Sequence, residues 1–259
     1  MRSQRNFSQG SLSLAILLSL LGGIPVALAM PQQTANSIRY QKADVILPTV
    51  PPTPPPPGKR QPGGGLSGEA LVCPPKQQAL TALTPASVHG VTLSEKPTFW
   101  FYMPYTSEEV ASGEFSILTW DEEQRVYETA FELPDTAGLV SITLPDSEEF
   151  NLQEDVPYHW YVNLNCDSNT DSKSELKIDG WVQRIAHTPE RRQQVSSTSP
   201  DIWYDAVAQL AAQLQDPALE TAVLRQTWTE LLESVDLGDL APAPIVGPVR
   251  LTPVPSQSE

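Results

Sequence analysis

The run Phe99-Trp100-Phe101-Tyr102 constrains the fold most: it is apolar at odd and even positions alike. In a β-strand successive side chains point to opposite faces, so this strand needs apolar cover on both sides and reads as a central one. Around it, between 70 and 187, short segments punctuated by Pro, Gly and acidic turns fall at 88–93, 98–103, 115–121, 126–133, 138–144, 158–166 and 175–185. Several alternate with period two. Tyr158, Trp160, Val162, Leu164 and Cys166 share one face of their segment, His159, Asn163 and Asn165 the other; on 126–133, Tyr127, Phe131 and Leu133 lie opposite Glu128 and Glu132. Seven short strands with two covered faces predict an immunoglobulin-like or fibronectin-like β-sandwich.

Beyond Pro189 the period becomes helical. Ile202, Trp203, Val207, Leu210 and Leu214 recur at three- and four-residue intervals, as do Leu219, Val223, Trp228, Leu231 and Leu232 after Asp216-Pro217. Asp216 is the expected cap of the second helix and Pro217 its first-turn residue. The segment 188–241 therefore predicts a two-helix hairpin packed on the sandwich, followed by a disordered Pro-rich tail at 242–259. Upstream, 30–69 reads as a Pro/Gly-rich linker: Pro54 to Pro57 favour an extended path, and Gly63-Gly64-Gly65 adds a flexible joint.

The first 29 residues have the layout of a cleavable signal peptide. Arg2 and Arg5 precede an apolar run at 12–21, Gly22, Gly23 and Pro25 break it, and Ala27-Leu28-Ala29 offers small residues for cleavage between Ala29 and Met30. The run is shorter than the roughly 20 residues a membrane-spanning helix needs. No transmembrane span is expected after cleavage, and the destination is the periplasm or the extracellular space. Loss of Arg2 and Arg5 takes the formal charge from -15 to -17. So acidic a chain is unsuited to nucleic acid, whose affinity comes from Lys and Arg on phosphates. Two cysteines, Cys73 and Cys166, suit a disulfide in an oxidising compartment, closing a loop of about 90 residues worth up to about 4 kcal/mol.

A set of landmarks runs through the chain: Pro97-Thr98-Phe99-Trp100-Phe101-Tyr102-Met103-Pro104, Leu133-Pro134, Leu144-Pro145, Tyr158-His159-Trp160-Tyr161, Cys166-Asp167, Gly180-Trp181-Val182-Gln183-Arg184, Ile202-Trp203-Tyr204-Asp205-Ala206 and Trp228-Thr229-Glu230-Leu231-Leu232. In this order they resemble the domain-of-unknown-function family numbered 928, found in cyanobacterial exported proteins. The resemblance covers roughly 60–245 and implies export and the order of elements; it implies no activity. One departure is the short Ser/Thr-rich stretch between Thr188 and Pro200, where the family has a longer helical stretch.

Candidate sites are few. Asp167, Asn169 and Asp171 place oxygens at alternate positions as a calcium loop begins, but Ser172 and Ile178 stand where that loop has Gly and Glu. A polar hairpin explains the same residues. Asp121, Glu122 and Glu123, and Asp146, Glu148 and Glu149, cluster carboxylates at strand ends, where solvated turns are expected. His159 lies beside Asn163 and Asn165 and opens two readings: a ligand patch, or a sheet face covered by the hairpin with hydrogen bonds to Asp205 or Tyr204. The second is adopted. Trp181 shares a face with Lys177, Asp179 and Gln183, which points it toward the hairpin or solvent.

No nucleophile elbow, phosphate loop or paired-carboxylate cleft stands out, and no cofactor is expected. The leading expectation is a non-catalytic binding or assembly module of the cell envelope, with another envelope protein as partner. The alternative is a carbohydrate-binding module that uses exposed Trp181, Tyr161 and Trp120, and a hydrolase ranks third.

Overall fold

A computed structural model of the chain describes residues 58–62, 73–86, 90–110, 112–166, 175–196 and 200–252. The seven predicted segments become strands β2 (Gly90–Thr92), β3 (Thr98–Met103), β4 (Ser112–Thr119), β5 (Arg125–Phe131), β6 (Gly138–Thr143), β7 (Pro157–Asn165) and β8 (Glu175–Arg184), preceded by a short strand β1 (Thr81–Ala82) that the sequence pattern does not announce. Helices α1 (Pro189–Ser196), α2 (Trp203–Gln215) and α3 (Ala222–Glu233) follow, and then β9 (Ile245–Pro248) and β10 (Leu251–Thr252). The strands form two sheets, ordered β1-β3-β6-β9 and β10-β5-β4-β7-β8-β2. This is a mainly β architecture with helices near the C-terminus. Its parallel pairs, β2 with β8 and β6 with β9, give the sheets a strand arrangement of their own.

The alternation read in the sequence sets the layers. Phe99, Phe101 and Met103 of β3 meet Phe115, Ile117, Trp160, Val162 and Ile178 of the six-stranded sheet in the main core. Gly180 lies under the Trp160 indole, and a Cβ there would come 2.3 Å from the ring. The other side of β3 carries Trp100 and Tyr102, which pack with Leu139, Trp203, Leu210, Trp228 and Leu232 in a second cluster beneath the helices. The molecule therefore has three layers: six-stranded sheet, four-stranded sheet, helices. Each fully buried Leu or aromatic side chain contributes about 1.5–3 kcal/mol, so the two clusters dominate stability.

Cys73 and Cys166 form a disulfide, with Cα atoms 5.0 Å apart, that spans 93 positions. It pins the end of β7 to the segment entering the four-stranded sheet.

Four expectations are corrected here. The tail is not disordered throughout: β9 and β10 pair with β6 and β5, and 245–252 laces the sheets together. The Val249 N–H donates to Ser141 O and the Glu132 N–H to Arg250 O, so these Pro-flanked residues gain ladder bonds that local composition does not signal. The linker also ends earlier than expected. Residues 58–62 form a strap in which Asp179 N–H donates to Lys59 O and Ala82 N–H to Arg60 O, joining β8 to β1. A Cβ on Gly58 would sit 2.5 Å from the Asp179 carbonyl oxygen, so the strap lies against β8 with no room for a side chain there. The C-terminal part holds three helices rather than a two-helix hairpin, because Pro189 opens α1 in the stretch before Pro200. Finally, Asp216 caps a turn through the Ala218 N–H, whereas Thr221 Oγ1 caps α3 by accepting from Leu224 N–H. Leu219 and Val223 are left 52% and 76% exposed. The Ala29–Met30 junction and the rest of 1–57 lie outside the described residues.

Candidate functional site

Strand β7 divides the tetrad 158–161 between two environments. Tyr158 and Trp160 enter the core, while His159 and Tyr161 stand on the outer face of the six-stranded sheet. The antiparallel register with β8 sets Trp181 opposite His159, Asp179 opposite Tyr161 and Lys177 opposite Asn163. The His159 imidazole stacks on the Trp181 indole at 4.1 Å and 11° and touches the Tyr161 ring at 4.2 Å. Lys177 Nζ sits 3.9 Å from the centre of the Tyr161 ring, a cation–π contact.

Both imidazole nitrogens face carboxylates. Nδ1 is 2.7 Å from Glu122 Oε1, and Nε2 is 3.0 Å from Asp179 Oδ2. The Tyr161 hydroxyl donates to the same Glu122 oxygen at 2.8 Å and lies 2.8 Å from His159 Nδ1. Glu122 belongs to the β4–β5 turn, where it has φ of 61°, an uncommon backbone for a side-chain-bearing residue. The bond from Tyr161 and then that from His159 hold the Glu122 carboxyl below its ordinary value. For Asp179, burial pushes upward most strongly, but His159 and the Lys59 backbone N–H together bring its carboxyl below the ordinary value. Burial first, and then Glu122, raise the Tyr161 phenol, so it stays protonated across the physiological range.

His159 is 7% exposed, yet no described helix covers it. Its cover is local: Trp181, Tyr161 and the Glu122 turn. The expected bonds to Asp205 or Tyr204 are not made, because α2 lies over the four-stranded sheet and reaches the far side of β7. The Tyr204 hydroxyl donates to Trp181 O and accepts from Trp160 Nε1, and Asp205 Oδ2 accepts from Leu93 N–H. Together with Trp203 Nε1 donating to Leu83 O, these bonds make 203–205 an anchor of α2 to both sheets.

Of the three aromatics expected at the surface, Trp120 is exposed at 42% on the β4–β5 turn and Tyr161 is half-buried. Trp181 is buried at 6%, with the His159 ring stacked on its indole. Asp167, Asn169 and Asp171 lie outside the described residues. The sequence places Glu122 in a solvated turn, and its tie to His159 depends on how that turn folds back over β7. The signal for Asp179 and Lys177 was present, since both share the face of Trp181. Among the described residues no group of three or more His, Cys, Asp or Glu is arranged to hold a metal ion. Nor is any described helix long and apolar enough to cross a membrane.

Fold and site thus define a disulfide-linked, helix-backed β domain with one polar-aromatic sheet face. Residues 58–245 match the family model for a Domain of Unknown Function (DUF928), and the chain belongs to that family. The match opens at the strap and closes at the start of β9. No curated protein and no solved structure matches the chain.

Proposed function

We propose that the protein is exported and that its β domain is a non-catalytic binding or assembly module of the cell envelope, docking another protein on the outer face of the six-stranded sheet. One observation carries the reading: this face presents a preorganised aromatic–histidine stack while Glu114 and Lys177 stay exposed around it. Both His159 nitrogens face carboxylates of the protein itself, which favours a recognition role over direct contact of the ring with a substrate. Glu114, Glu122 and Glu123 outweigh Lys177 there, so the complementary partner surface is basic. The signal-peptide layout of 1–29, the oxidised cysteine pair and the Pro-rich spacer support delivery beyond the cytoplasm.

The test is cross-linking of the protein in its native envelope, with capture read by mass spectrometry. Cross-links between one reproducible protein and this face, weakened by salt and by Trp120→Ala, support the reading. Cross-links confined to the helices, or glycan alone, overturn it.

The exposure of Trp120 beside Tyr161 favours one second reading, polysaccharide binding. Unchanged polysaccharide retention in the Trp120→Ala, Tyr161→Ala double variant removes it.

A further inference from the structure

Glu122 Oε1, His159 Nδ1 and the Tyr161 hydroxyl oxygen form a triangle with sides of 2.7, 2.8 and 2.8 Å. Three heteroatoms this close need two protons between them, and the available protons decide which pairs bond. With imidazolium, Nδ1–H and the phenol O–H both donate to Glu122, and Nε2–H donates to Asp179. A neutral imidazole has one N–H. The Asp179 side chain is 14% exposed against 50% for Glu122, so an orphaned Asp179 would cost more, and the remaining proton stays on Nε2. Nδ1 then becomes an acceptor with a phenol 2.8 Å away and a carboxylate facing its lone pair.

We infer that His159, Tyr161 and Glu122 form a proton-operated switch on the open face. When the Nδ1 proton leaves to solvent, the Tyr161 O–H turns from Glu122 to His159 and the Glu122 carboxylate is released. The phenol keeps its proton throughout. One ionisation therefore removes two hydrogen bonds from one carboxylate and adds one negative charge to the face.

The surroundings make Glu122 the group that moves. His159 is fixed by Trp181 and Asp179 on β8, Tyr161 by Lys177 across its ring, and Asp179 by the Lys59 backbone of the strap. On the β4 side His159 faces Leu118, which is uncharged. In the turn, Asp121 is occupied by Thr119 Oγ1 and the Glu123 N–H, and Glu123 is exposed. Glu122 has the positive φ, and Trp120 lies two residues before it, so release frees the one described turn that carries an exposed tryptophan.

The inference deepens, and rests on, the reading of this face as a docking surface: a basic partner binds more tightly once the switch has opened. The experiment is ¹⁵N NMR of the His159 ring in the intact protein from about pH 5 to 9, with amide exchange of residues 122–124 corrected for its intrinsic pH dependence. The expected result is loss of the Nδ1 proton with Nε2–H retained, and exchange rising roughly tenfold through the same step. Glu122→Gln is the decisive variant, because its amide accepts from imidazolium and donates to neutral Nδ1, and it should abolish the exchange step. Glu122 is half exposed, so this variant folds even where His159→Gln does not. Loss of the Nε2 proton first, flat exchange in the wild type, or a step surviving in Glu122→Gln each overturns the switch. None of these readouts involves a partner, so failure to find one bears only on the docking reading.

Discussion

The two outer sheet faces of this molecule have opposite fates. The four-stranded sheet turns Trp100, Tyr102 and Leu139 outward, and α2 and α3 pack over them, burying Trp100 and Leu139 fully and Tyr102 in part. The six-stranded sheet turns His159, Tyr161, Asn163, Lys177 and Asp179 outward, and no described helix lies over them. The first face is closed by the hydrophobic effect, which asks for area and little geometry. The second is organised by directional contacts that leave edges and charges available. Under the proposed docking role, stability and recognition fall on different sides of the domain.

That division can be broken most severely at Trp203. Replacing this fully buried indole by Ala should cost about 3–5 kcal/mol, whereas Trp120→Ala on the open side should stay within about 0.5 kcal/mol. Urea midpoints of the two variants check this, and similar values would dissolve the contrast. Tyr204→Phe is next. It removes the hydroxyl that donates to Trp181 O and strands the Trp160 indole N–H inside the protein, at about 1–3 kcal/mol for that unpaired group.

The two faces should also respond to pH with opposite sign. Burial holds the Asp205 carboxyl above its ordinary value, so its contribution is present below the unfolded pKa and lost as pH rises through the folded one. Asp205→Asn should therefore improve relative to wild type as pH rises. Asp179 is held low, so its contribution is present above the unfolded pKa and lost as pH falls through the folded one. Asp179→Asn should cost most at neutral pH and fade below about pH 4. Denaturation series from pH 3 to 7 on both variants would show crossing slopes, and parallel slopes would contradict the assignment. The smallest effect belongs to Lys177→Ala. Losing an exposed cation–π contact should lower stability by about 0.5–1 kcal/mol, visible in a melting scan, while changing partner capture far more.

Much of this was legible in the sequence, for a definable reason. Residues 99–102 announce a strand covered on both sides, and β3 is one, with Phe99 and Phe101 in one cluster and Trp100 in the other. The alternation along 158–164 separates inward Trp160 from outward His159. Period says which side chains share a face, but not which element comes to lie on it. That choice depends on long-range pairing, so the helices could be expected over His159 although they pack on the opposite sheet. The straps at 58–62 and 245–252 escaped because their bonds are made only to strands distant in sequence. Glu122 escaped for the same reason, since a turn residue acquires its partners only once β4 lies beside β7 in register.

The cysteine bridge has a mechanical consequence. Tension applied between residues 58 and 252 loads the strap bonds at Lys59 and Arg60 first, and then arrives at Cys73. From there the force crosses directly to Cys166 and bypasses the 93-position loop between them, which contains β1 to β7. On the order of 300 Å of contour is therefore hidden from any pull along the chain. Single-molecule extension of the oxidised protein should stop short of the full length by that amount, and a reductant should release it. A domain built this way keeps the strands inside the loop covalently held together under load.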